Sequence, residues 1–273
     1  MEVCINEYFI KNNEIYPSER FNEEYVVEGK CIYEVIRVIQ GVPVFLDEHL
    51  KRLENSLELA KENNSTSMDM VNFMVDKLID ANNIENGNIK MVINKKNIFI
   101  FSIKHSYPSD DMYRNGVKTI LYFGERNNPN AKVIDSTFRE KVNKEIERSN
   151  SYEAILINDQ GYITEGSKSN IFMVKGNEIL TAPVEGVLPG ITRGQIIKAC
   201  DELNLTVKEE NINVKDIKNL DGLFISGTSP NVLPISEVQG EIEYKSVSDT
   251  IYRIKNQFDM IIKRNLKDYK RIK

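Results

Sequence analysis

Apolar positions along this chain keep changing period, from two residues to between three and four and back. The run Cys31–Ile39, CIYEVIRVI, is rich in β-branched residues, and Gln40-Gly41 offers a turn before a second short apolar run at 42–46, so the pattern predicts a β-hairpin. DEHLKRLENSLELA then places Leu50, Leu53, Leu57 and Ala60 on one helical face, with Asp47 at the expected N-cap. A second amphipathic helix is predicted over Met68–Ala81, through Met70, Phe73, Met74, Leu78 and Ile79. Residues 89–93 and 98–103 read as strands joined by the polar hairpin NKKN. Up to about residue 118 the pattern is that of an α+β unit.

The next stretch, GERNNPNA at 124–131, is rich in Asn with one Pro and reads as a linker or mobile loop. It divides a small α+β domain, 1–123, from a larger strand-rich domain, 132–273. Lys132 follows at once, ahead of VIDSTFREKVNKEIERSN. There Thr137 and Glu140 form a T-x-x-E capping pair, and Ile134, Phe138, Val142 and Ile146 recur every four residues. Lys132 therefore stands just before a helix, a place where most lysines are exposed tethers. The stretch 159–174, DQGYITEGSKSNIFMV, gives two strand-like segments about a turn at Gln160-Gly161. Its lone carboxylate, Glu165, precedes Gly166, two serines and Asn170. Spacing alone fits a solvated acid between strands as well as an acid held on a strand edge.

After a short strand at Glu178–Thr181, GVLPGITRGQIIKACDEL breaks at Pro189-Gly190 and continues as a helix with Ile191 and Thr192 in its first turn. Unpaired N–H groups and the positive end of the helix dipole favour an anion such as phosphate there. An apolar strand at 223–226 ends in GTSPN, where Gly227 permits a close turn and Thr228 and Ser229 offer hydroxyls, a second candidate phosphate contact. Strands at 232–235 and 241–244 and a terminal helix from Ser248 complete the larger domain.

Composition narrows the function classes. Hydrophobic residues make up 41% and charged residues 28%, a globular balance. No apolar run approaches the roughly 20 residues that span a bilayer, and no signal-peptide pattern opens the chain, so a cytoplasmic protein without membrane partners is expected. The net charge of -5 argues against a general nucleic-acid surface, and the lysines of IIKRNLKDYKRIK alternate with apolar residues as a solvated helix face would. Three scattered cysteines and two histidines have no metal-ligand spacing, so neither a disulfide framework nor a metal site is suggested.

A lysine, an acid, two anion-suited turns and Arg52 together are what pyridoxal 5'-phosphate requires. Its aldehyde needs an amine, its pyridine nitrogen needs a carboxylate to stay protonated, and its phosphate needs N–H groups, hydroxyls and an arginine. At this point YEAILINDQGYITEGSKSNIFMV, LTAPVEGVLPGITR and FISGTSPNVLPI, supported by FLDEHLKRL, carry a resemblance to the class IV aminotransferases. These are the fold-type IV pyridoxal-phosphate enzymes, which include branched-chain and D-amino-acid aminotransferases and aminodeoxychorismate lyases. The resemblance runs from about Tyr33 to Ile235 and implies the two-domain α+β architecture of that family.

By that resemblance Lys132 is the Schiff-base lysine and proton shuttle, and Glu165 partners the pyridine nitrogen. Arg52, the N–H groups of Ile191 and Thr192, and Thr228 hold the phosphate, while Leu188 packs on the ring face. Tyr33, with Ser229, is the substrate-facing candidate. The family's site lies between two domains and across a dimer, so a homodimer is implied. Two departures stand out. VIDSTF follows Lys132 where many members carry a small or hydroxyl residue and soon an Asn, and Lys141 and Lys144, the rival lysines, fall inside the helix. Asn94, Lys95 and Lys96 stand where the D-amino-acid branch has an arginine and, two residues on, a histidine. The expected reaction exchanges an amino group between a branched-chain-like or D-amino acid and a 2-oxo acid. The alternatives are a lyase that releases 4-aminobenzoate and pyruvate from aminodeoxychorismate, and a non-catalytic descendant of the fold.

Overall fold

The structure, a computed structural model, describes residues 3–62, 66–94 and 97–271. Lys95 and Lys96 thus lie outside the described residues. Two compact units divide the chain: Met1–Ser106 with Ala131–Ile134 and Ile262–Lys273, and Tyr107–Asn130 with Asp135–Ile261. The chain is a mixed α+β fold, as the alternating periods imply.

The first unit contains β1 (Tyr8–Lys11), β2 (Glu14–Pro17), α1 (Glu23–Val26), β3 (Cys31–Ile39), β4 (Val42–Pro43), α2 (Leu46–Ala60), α3 (Met68–Ala81), β5 (Asn86–Asn94) and β6 (Asn97–Ile103). Its six strands form one sheet in the order β2-β1-β6-β5-β3-β4. Ile32, Ile36 and Val38 on one face of β3 pack with Leu46, Leu50, Leu53 and Leu57 of α2 and with Val71, Met74 and Leu78 of α3. The hairpin after Gly41 is shorter than its apolar run suggests, because Phe45 takes a left-handed conformation and α2 begins at Leu46. Asp47 consequently lies inside the first turn, where its charge favours the helix dipole, and is not the N-cap.

The second unit contains α4 (Asp110–Asn115), β7 (Val117–Phe123), α5 (Ser136–Arg148), β8 (Glu153–Ile157), β9 (Tyr162–Gly166), β10 (Asn170–Lys175), β11 (Glu178–Thr181), α6 (Ile191–Glu202), β12 (Thr206–Glu209), β13 (Ile212–Asn213), β14 (Gly222–Gly227), β15 (Asn231–Val238) and β16 (Ile242–Glu243). The last helix, α7 (Asp249–Asp268), contributes its residues up to Ile261 here and those from Ile262 to the first unit. Ten strands form one sheet, and a pairing of β9 with β10 closes the ring β10-β14-β15-β7-β8-β9. Ile155, Ile157, Ile163, Ile171, Met173, Leu223, Ile225 and Leu233 fill one apolar cluster of this barrel. Ala154 and Leu156 point the other way and pack with Val142, Phe138 and Ile146 of α5.

Three expectations change. β7 pairs in parallel with β8 and β15, so the second sheet begins before the Asn-rich stretch that the pattern read as the domain divide. Residues Ala131–Ile134 belong with the first unit because Val133 bridges Ile32 and Ile134 N–H donates to Cys31 O at 3.0 Å. Finally, α5 is capped by Asp135, whose side chain accepts from Phe138 N–H at 3.0 Å, so Thr137 is not the N-cap. Asp135 sits two residues earlier and offers the same acceptor geometry with a full charge. In α7, Lys263, Arg264 and Lys267 are exposed, and no helix among the described residues is long and apolar enough to cross a membrane.

Candidate active site

The sequence-derived candidates fall into two groups, one in each unit. In the first unit Tyr33 N–H donates to Lys132 O at 3.0 Å, and Lys132 N–H donates to Ser56 Oγ of α2 at 3.3 Å. These bonds pin the lysine backbone to β3 and α2, and its Nζ lies 4.5 Å from the centroid of the Tyr33 ring. A second ammonium, the Nζ of buried Lys90 on β5, lies 4.8 Å from the same ring. An ammonium over an aromatic face is attracted by the ring quadrupole, most strongly where water is excluded.

Arg52 is brought to a carboxylate that pattern reading missed. Glu34 is 0% exposed, and its Oε1 accepts from Arg52 Nε at 2.8 Å while its Oε2 accepts from Arg52 Nη2 at 2.7 Å. His49 Nδ1 lies 2.7 Å from the same Oε2. Burial pushes the Glu34 carboxyl up, but the Arg52 charge, with hydrogen bonds from Arg52 and His49, outweighs it and brings the group down to about 2. Burial pulls the His49 imidazole below its ordinary value; Glu34 opposes this, while the charges of Arg52 and Lys132 add to it. His49 is therefore neutral near pH 7, and its contact with ionised Glu34 is a hydrogen bond donated by Nδ1–H. A signal for this cluster was present. Glu34 shares the phase of Ile32, Ile36 and Val38 on β3, and His49, Arg52 and Ser56 lie among the inward leucines of α2.

In the second unit Glu165 is buried at 4% exposure, so the solvated-acid reading does not hold. Nor is β9 an edge, since β13 and β8 pair with it on either side. A bulge explains which way the side chain points. Ile155 pairs with Gly166 but Ile157 pairs with Ile163, so β9 has one residue more than β8 over this span. A one-residue slip reverses the facing of the residues beyond it, taking Glu165 off the Ile163 phase and placing it directly opposite Asn170.

Glu165 Oε1 accepts from Arg126 Nε at 2.8 Å and pairs with Arg126 Nη2 at 2.7 Å, while its Oε2 accepts from Leu188 N–H at 3.1 Å. Arg126 comes from the Asn-rich stretch, which is anchored: Asn130 Nδ2 also donates to Val184 O at 2.7 Å and Val187 O at 2.8 Å. Two residues beyond Leu188, Gly190 caps α6 without any side-chain hydrogen bond. By contrast α3, α4 and α5 are capped by Ser67, Ser109 and Asp135. Ile191 and Thr192 thus open α6 without a hydrogen bond from an N-cap side chain, as an anion site requires. Thr228 and Ser229 follow β14, whose Ser226 is directly opposite Asn170.

Each group suits a different part of pyridoxal 5'-phosphate: in the first unit an amine held against an aromatic ring, and in the second a buried acid in an ion pair, an uncapped helix start and a hydroxyl-bearing turn. The family model for amino-transferase class IV matches residues 31–238. The chain belongs to the class IV aminotransferases. It is 29% identical over 231 residues to a D-alanine aminotransferase of Bacillus licheniformis, covering 78% of this chain and 80% of that protein. It is 27% identical over 293 residues to a Methanocaldococcus jannaschii protein provisionally named a branched-chain-amino-acid aminotransferase, covering 98% and 99%. The fold matches the branched-chain aminotransferase of Escherichia coli with TM-score 0.86 at 24% identity, over 94% of this chain and 95% of that one. It also matches a T.th. branched-chain aminotransferase solved with pyridoxamine 5'-phosphate, with TM-score 0.86 at 19% identity over 96% of each chain. Class IV aminotransferases depend on pyridoxal phosphate.

Proposed function

We propose that this class IV aminotransferase binds pyridoxal 5'-phosphate and exchanges an amino group between an amino acid, branched-chain-like or of D configuration, and a 2-oxo acid. The observation that carries this reading is Lys132, a lysine fixed through both backbone polar groups to β3 and α2 with its Nζ 4.5 Å from the Tyr33 ring. The cofactor, when bound, supplies an aldehyde carbon that takes the amino group and a ring that accepts the electron pair released at the substrate α-carbon.

The chain's own residues do the rest. Lys132 Nζ would hold the cofactor aldehyde and, as a free amine, would be placed to take the proton from the substrate α-carbon and return it, as a positioned general base and acid. Glu165, kept in place by Arg126 and Leu188 N–H, would accept the hydrogen bond of the ring nitrogen. The Ile191 and Thr192 N–H groups, the Thr228 hydroxyl and Arg52 would be the groups to hold the phosphate, with Arg52 oriented by Glu34. Leu188 would cover a ring face, and Tyr33 and Ser229 would orient the substrate carboxylate. A homodimer in the cytoplasm is part of the proposal, and light scattering of the purified protein tests its oligomeric state.

Incubation with pyridoxal 5'-phosphate should give the visible absorbance of a lysine-bound cofactor, lost in Lys132→Ala and bleached by the right amino acid. No such absorbance in the wild-type protein would sink the assignment. The same screen over L- and D-amino acids reads chirality; Asn94, at the position where the D-amino-acid branch departs, donates from Nδ2 to Tyr25 O at 2.6 Å and Val26 O at 2.8 Å. Release of 4-aminobenzoate from aminodeoxychorismate without a 2-oxo acid would assign a lyase instead.

A further inference from the structure

The second unit holds a buried carboxylate that the reaction as outlined does not use. Glu153, at the start of β8, is 5% exposed. Its Oε1 accepts from Ala154 N–H at 2.9 Å, from Ser167 N–H at 3.2 Å and from the Ser167 hydroxyl. Its Oε2 accepts from Lys168 N–H at 3.3 Å and from Ser169 Oγ at 3.0 Å. Five donors therefore converge on one side chain, and four of them come from the turn that joins β9 to β10. A carboxylate serving several N–H and O–H donors holds them more firmly than neutral acceptors would.

That turn is tight as well as bonded. Gly166 N–H donates to Ser169 O at 2.7 Å, and a Cβ at Gly166 would come within 2.1 Å of Ser169 Oγ. The residues flanking the turn, Glu165 and Asn170, face each other as the pair that closes the barrel. Both reach the backbone of one residue: Glu165 Oε2 accepts Leu188 N–H at 3.1 Å, and Asn170 Nδ2 donates to Leu188 O at 2.9 Å. Asn170 also fits against the helix start, because a Cβ on Gly190 would lie 2.0 Å from Asn170 Oδ1.

We propose that Glu153 and Asn170 are positioning residues that join Glu165 mechanically to the first turn of α6, with Leu188 gripped at its N–H by one strand and at its C=O by the other. The inference rests on the cofactor reading for its meaning in catalysis, where it links the partner of the ring nitrogen to the phosphate-binding N–H groups. Loosening the turn loosens both together. A carboxylate that shifts only a few tenths of an ångström would change its hydrogen bond to the ring nitrogen and the seat of α6 in one movement.

Two measurements test this on Glu153→Gln and, in case that variant does not fold, on Asn170→Asp, whose carboxylate cannot donate to Leu188 O. The first is amide hydrogen exchange on the cofactor-free protein. Leu188 N–H should exchange about tenfold faster in either variant, the loss expected when one charge-assisted bond is weakened, and the first-turn amides of α6 should follow it. The second uses protein loaded with pyridoxal 5'-phosphate. The cofactor's dissociation constant should rise about tenfold, and the pH midpoint of its ring nitrogen, read by NMR of nitrogen-15-labelled cofactor, should move down, since a displaced Glu165 favours the protonated ring nitrogen less. Unchanged Leu188 exchange and an unchanged pH midpoint in both variants would overturn the proposal. A wild-type protein that binds no cofactor would refute the transaminase reading alone, and the exchange measurement would still decide the linkage.

Discussion

Glu34 and Glu165 are both buried carboxylates paired with an arginine, yet they are held in different ways. Glu34 gives one oxygen to Arg52 Nε and the other to Arg52 Nη2 and His49, so side chains engage both of its oxygens. Glu165 receives both Arg126 nitrogens on Oε1 and turns Oε2 to the backbone of the segment that leads into α6. The first pattern is a planar two-point clamp, which fixes the direction of a guanidinium. The second fixes the acid itself and leaves it attached to a loop. An arginine–carboxylate pair in this protein thus serves to aim the cation in one unit and the anion in the other.

Removing the charge at each acid separates the two roles. Glu34→Gln leaves Arg52 buried beside a neutral amide and should cost about 3–5 kcal/mol of stability, read as a lower urea midpoint. Glu165→Gln should instead lower turnover by about a hundredfold to a thousandfold, as loss of one preorganised charged contact does, with a smaller change in urea midpoint. If Glu165→Gln proved the more destabilising of the two and kept full turnover, the contrast would be wrong.

Acid titration sharpens the same contrast. The Glu34 carboxyl is lowered from 4.5 to about 2 on folding, so its stabilisation is complete above pH 4.5 and is lost as the pH falls toward 2. At 1.36 kcal/mol per pH unit, that loss is about 3 kcal/mol, and it should be missing from Glu34→Gln. His49, also lowered on folding, acts in the same direction at higher pH, losing its contribution as acidity increases below its ordinary value of 6.5.

Two smaller changes probe the attachment of Glu165. Gly190→Ala brings a Cβ to 2.0 Å from Asn170 Oδ1, so Asn170 must move; a loss of about 1–3 kcal/mol in thermal stability is expected, with weaker cofactor binding. Ser169→Ala removes one donor to Glu153 Oε2 and should cost about 1 kcal/mol by the same measurement.

Much of the fold was legible because local patterns and tertiary packing agree. Met68–Ala81 and Glu178–Thr181 have the bounds their apolar periods predict, and α6 starts at Ile191, after the Pro-Gly break. Boundaries failed where two caps competed. Asp135 and Thr137 are both acceptable N-caps, and the helix starts after Asp135, whose charged side chain accepts Phe138 N–H. Arg126 was hidden for a different reason, since an arginine in an Asn-rich stretch carries no periodic signal and is defined only by the acid it meets 39 residues later.

The sequence by itself determined the alternation of helices and strands and the family, and it nominated Lys132, Glu165 and the start of α6 as the candidates for cofactor chemistry. Only the tertiary structure decided that Glu165 is buried, that Arg126 pairs with it, and that Arg52 is aimed by Glu34. The reason is visible in β9. Strict two-residue alternation from Ile163 would carry Glu165 into the apolar barrel cluster, and a single extra residue against β8 turns it to face Asn170. Such a bulge depends on which strands lie alongside, and a period read along one chain contains no record of its neighbours.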